Sequence, residues 1–60
     1  MDLEELQAEV TDLESLIIDC VDHVGNAASC ETASDCRANL TELKLSLQAA
    51  LTAVSELLST

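Results

Sequence analysis

Three cysteines and one histidine, Cys20, His23, Cys30 and Cys36, are the residues of this 60-residue chain whose chemistry is most specific. Cys20 and His23 stand three apart, a spacing that puts two side chains on one face of a helix. Together the four read C-x2-H-x6-C-x5-C, and a Cys3His donor set could hold a zinc ion that ties the chain together. A pair six apart is less usual for zinc than a pair two to four apart, and two plainer readings use the same residues. Cys20 and Cys36 both fall on apolar seam positions, where a free thiol packs as a small hydrophobe. They also fall at matching heights, so a disulfide between them is geometrically allowed. His23, read as lying in the last turn of a helix, would sit at the negative end of the helix dipole. Zinc is the one cofactor these residues suggest, and otherwise none is expected.

The charge is lopsided. Twelve acids face two bases, for a formal net charge of −10. Direct binding to nucleic-acid phosphates needs a basic footprint, so no direct contact with DNA or RNA is expected. Anionic membrane surfaces are disfavoured for the same reason. The acids concentrate in the first half of the chain, where Glu5, Glu9, Asp12, Asp19 and Asp22 are the candidate partner-binding face. Three readings fit such an array: a solvated face that keeps an apolar protein in solution, a high-salt habitat, or a mimic of nucleic-acid phosphates that fills a basic groove on another protein. The last is the device of small viral or accessory inhibitors. Arg37 and Lys44, one heptad apart, are expected to flank the seam beside these acids and pair with them. In an assembly they could instead gather, with Asn39 and Thr41, into a small anion pocket between subunits.

No catalytic constellation is visible. The chain has no Gly-rich phosphate loop, no nucleophile elbow and no HExxH pattern. One His beside cysteines is not a triad without an orienting third group, and the carboxylates belong to an exposed face where nothing tunes them. The expectation is a protein that is not an enzyme.

These residues must be positioned by helices. There is no Pro, one Gly, no aromatic residue, and 48% hydrophobic content, a composition rich in helix formers and poor in breakers. The first segment places Leu3, Leu6, Val10, Leu13, Ile17, Cys20 and Val24 at alternating intervals of three and four, a strict heptad. Asp2 followed three residues later by Glu5 marks its start, and Gly25 with Asn26 marks its end. The second segment places Cys36, Leu40, Leu43, Leu47, Ala50, Val54 and Leu57 at the same alternation, opened by Thr32 and Asp35, with Ser29 as a rival cap. The spacing predicts helices over about 2–24 and 33–58 joined by a turn over 25–32, in one domain. Matched lengths and a short connection predict an antiparallel, coiled-coil-like hairpin of the all-α class.

Such a hairpin leaves apolar surface over. Leu16, Val21, Leu51 and Leu58 flank the two seams, and the second helix carries a stripe wider than one partner helix covers. A chain this short is marginal alone. The expectation is a homo-oligomer, most simply a dimer forming a four-helix bundle, assembled through Leu40, Leu43, Leu47, Leu51, Val54 and Leu58 with Leu6, Leu13 and Ile17 opposite. In length and heptad pattern the chain resembles the short helical-hairpin dimers exemplified by plasmid copy-number regulators. The RNA-binding role of that family does not transfer to a chain this acidic. The longest apolar run, Leu16-Ile17-Ile18, is too short to span a bilayer, and Met1-Asp2-Leu3-Glu4-Glu5 is the opposite of a secretion signal. The expected setting is cytoplasmic. The functional expectation is a self-associating module that regulates, inhibits or scaffolds a protein partner, such as one with a basic surface. The alternatives are a metal- or redox-responsive hairpin and an oligomer that sequesters a small anion.

Overall fold

The computed structural model describes residues 1–59 and consists of two helices, α1 (Leu3–Ala28) and α2 (Ala33–Leu58), packed against each other. Each has 26 residues, about 39 Å of helix at 1.5 Å per residue. The molecule is a flat slab measuring 47 × 16 × 9 Å. Its flatness matters, because two helices side by side have no third layer to cover either face.

Both helix starts follow from their capping residues. The Asp2 carboxylate accepts a hydrogen bond from the Glu5 backbone N–H at 2.8 Å, and Glu4 and Glu5 sit in the first turn, where acids favour the positive end of the dipole. The Thr32 hydroxyl accepts from the Asp35 N–H at 3.1 Å. Ser29, the rival cap for α2, instead closes α1. Its N–H and its hydroxyl both donate to the Gly25 carbonyl, at 3.2 and 3.0 Å.

The end of α1 differs from the sequence expectation. The helix does not stop at Val24 but runs on through Gly25, Asn26, Ala27 and Ala28. Gly25 has no positive φ and is an ordinary helical residue. The reason is local. Two alanines follow the Gly-Asn pair, and the roughly 1 kcal/mol that a helical glycine costs is offset by continuing the helix onto them. The connection therefore shortens to four residues, 29–32. His23 is no longer in the last turn, so the dipole reading of it falls, since that effect fades beyond the terminal turn.

The seam also differs. Along α1 the covered positions are Leu13, Leu16, Cys20, His23 and Ala27; along α2 they are Cys36, Asn39, Leu43, Ser46, Ala50, Ala53 and Leu57. Both sets keep the alternation of three and four, so the heptad geometry holds. They share Leu13, Cys20, Cys36, Leu43, Ala50 and Leu57 with the expected stripes. They replace Ile17, Val24, Leu40, Leu47 and Val54, all exposed, with Leu16, His23, Asn39, Ser46 and Ala53. Only Cys20 and Ala50 are fully buried, at 6% and 5% exposure. Small side chains let the helix axes approach, and the larger ones are pushed to the sides.

Candidate interaction surface

With the seam located, the helical period assigns every other residue to a side. At 100° per residue, Leu3, Leu6, Val10, Ile17, Val21 and Val24 lie on one side of the α1 seam line. Leu40, Leu47, Leu51, Val54 and Leu58 lie on the corresponding side of α2. All are exposed, Leu51 at 67% and Leu58 at 82%. A shallow groove of about 260 Å³ between the helices, lined by Leu6, Val10, Leu13, Val54, Leu57 and Leu58, brings the two stripes side by side at the open end of the hairpin. No charged side chain lines it.

The opposite face has the opposite chemistry. A second groove, of about 280 Å³, shares Leu13 and Leu57 with the first but is otherwise lined by Met1, Glu9, Asp12, Leu16, Ala53 and Glu56. Glu5, Asp12 and Asp19 occupy this side of α1, and Asp22 lies toward its outer edge. All are exposed. Hence the slab has a greasy side and an acidic side, and the seam runs between them.

Of the residues expected to form an assembly interface, Leu6, Ile17, Leu40, Leu47, Leu51, Val54 and Leu58 are together on the apolar face. Leu13 and Leu43 are not free for it, because the hairpin itself half-buries them. Val10, Val21 and Val24 join the face, although the sequence placed Val10 and Val24 in the seam. Ile18 and Leu45 stand apart on the outer edges, 54% and 56% exposed.

Arg37 and Lys44 were expected beside the acids of α1, and the fold separates them. Both are exposed and project from the outer rim of the apolar face, on the α2 edge. The Asn39 amide donates to the Asp35 carbonyl at 3.0 Å and the Thr41 hydroxyl to the Arg37 carbonyl at 2.9 Å. One amide N–H and the hydroxyl are thus used within α2, and the single chain does not gather a pocket around the two cations.

The cysteine set is not gathered. Cys30 and Cys36 form a disulfide across Cα atoms 5.4 Å apart, and Cys20 is a buried free thiol in the seam. The cross-link ties the connection to the first turn of α2, with the Cys36 Sγ 3.6 Å from the Ala27 carbonyl oxygen. It replaces the Cys20–Cys36 pairing that the seam heights had allowed. The longer α1 explains the change: with the helix extended to Ala28, Cys20 lies deep in the seam while Cys30 lies beside the start of α2. Among the described residues no group of three or more His, Cys, Asp or Glu side chains converges as a metal site. His23 is half-buried in the seam, and among the described residues no buried side-chain nitrogen or oxygen lacks a hydrogen-bond partner.

No helix among the described residues is long and apolar enough to cross a membrane. Comparison with protein-family models, with characterised proteins and with solved structures finds no match to this chain.

Proposed function

We propose that this chain is a self-associating interaction module. It pairs with a second copy through the apolar face and offers the acidic face to a protein with a basic surface, which it regulates, inhibits or scaffolds. The observation that carries this reading is the sorting of side chains onto two faces. Eleven exposed Leu, Ile and Val residues lie on one side of the seam and the carboxylates of α1 concentrate on the other. A contiguous apolar face of this extent marks an interface, and a field of carboxylates steers association with a basic partner.

Catalysis has no support in the fold. The two grooves are open and fall below the volume of a usual ligand site. A non-enzymatic role is the reading we adopt. We place the protein in the cytoplasm on the sequence argument, with one consequence: a reducing compartment opens the Cys30–Cys36 disulfide, so the module must work with that loop reduced.

Light scattering on the purified chain tests self-association. A dimer mass at micromolar concentration, with a melting temperature that falls on hundredfold dilution, is expected. A folded monomer over that range overturns the proposal. For the acidic face, affinity for a basic partner should drop steeply between 50 and 500 mM salt, and a flat response excludes a phosphate-mimicking role.

A further inference from the structure

Resting on the self-association just proposed, the geometry points to one particular dimer: two hairpins stack apolar face to apolar face, with each α1 lying on the α2 of the other copy. The area available fits a second copy. A compact 6.4 kDa protein exposes about 3,800 Å², whereas this chain exposes 4538 Å². The excess, roughly 750 Å², is close to the 800 Å² or so that each partner gives up in a standard interface.

Stacking two like faces about a two-fold axis allows two arrangements. With the axis running across the helices, α1 meets α1 and α2 meets α2. With the axis running along them, α1 meets α2. Charge decides between these. The rim of the face on the α1 edge carries Glu14; the rim on the α2 edge carries Arg37 and Lys44. Glu14 and Lys44 each lie within two residues of the middle of their helices. An axis crossing at mid-height would therefore set Glu14 against its own copy and Lys44 against its own copy. It would also bring together two copies of α1, a helix with no cation.

An axis along the helices sets the acidic rim of one copy over the basic rim of the other, and it preserves height. Val10 and Val54 line the apolar groove from the two helices, which takes Glu14 to about the level of residue 50. In the stacked dimer, Glu14 of the second copy then lies on the rim facing Lys44, about 9 Å from it along the axis. Long flexible cationic side chains span such offsets. Within one hairpin the same residues project from opposite outer edges of a slab 16 Å wide, so they meet only between copies.

A charge swap tests this. Lys44→Glu should weaken dimerisation severalfold, and adding Glu14→Lys in the same chain should restore it, with circular dichroism confirming that both variants fold. An undiminished K44E dimer, or no rescue by E14K, overturns the arrangement. Energy transfer between N-terminal fluorophores supplies an independent readout. The α1-on-α2 dimer holds both N-termini at one end and gives high transfer. The crossed dimer separates them by most of the 47 Å length of the slab, and low transfer overturns the proposal. A wild-type chain that stays monomeric in the scattering experiment fails at the earlier step and is recognised as such.

Discussion

Replacing Gly25 with Ala tests the one place where local sequence and fold disagree about backbone conformation. Gly25 lies in the body of α1 with helical φ, its carbonyl accepts from Ser29, and a Cβ placed on it meets nothing within 4 Å. Nothing in the folded state therefore opposes a methyl group. The unfolded chain loses freedom that glycine alone allows, and the gain should approach the full Gly-to-Ala helix difference of about 0.8–1 kcal/mol. For a chain of this size that is a rise in melting temperature of about 4–8 °C, doubled in free energy per dimer. Thermal and urea unfolding followed by circular dichroism, at one protein concentration and one redox state, measure it. The urea dependence should keep its slope, since the surface exposed on unfolding is unchanged. Were Gly25 instead the left-handed residue closing a shorter helix, alanine there would cost about 1–2 kcal/mol. A drop in stability of that size would refute the continuous helix from Leu3 to Ala28, and with it the four-residue connection.

Three further outcomes follow from the same geometry. Reducing the Cys30–Cys36 disulfide reopens a seven-residue loop and should cost about 2 kcal/mol by chain entropy; alkylation of the unreduced, denatured chain should label Cys20 alone, and label on Cys30 or Cys36 contradicts the pairing. Thr32→Ala removes the acceptor of the Asp35 N–H and should cost about 1 kcal/mol, with Thr32→Ser nearly neutral; equal losses in both would mean the hydroxyl is not the cap. Raising salt should strengthen self-association, because each copy brings a formal charge of −10 and screening relieves that repulsion; a dimer weakened by salt contradicts a predominantly apolar interface.

The helices themselves were legible in the residues. Asp2 with Glu5 and Thr32 with Asp35 are capping pairs whose hydrogen bonds form within three residues, so local chemistry suffices to start each helix where it starts. The heptad spacing and the surplus of apolar side chains foretold a hairpin with a greasy flank. Three things were beyond local chemistry. Glycine is compatible with both helical and left-handed backbone, so Gly25 alone cannot say whether a helix passes through it or stops. Three cysteines allow three single pairings, and which forms depends on where the connection begins. Above all, a broad apolar stripe contains two overlapping heptads. Leu13, Leu43, Ala50 and Leu57 belong to both, and only the mutual fit of two helices selects Ala53, Ser46 and Asn39 for the inside over Val54, Leu47 and Leu40. Small side chains permit close approach of the axes, and that contact, made between residues some thirty positions apart, turns the larger ones outward onto a face that the single chain leaves uncovered.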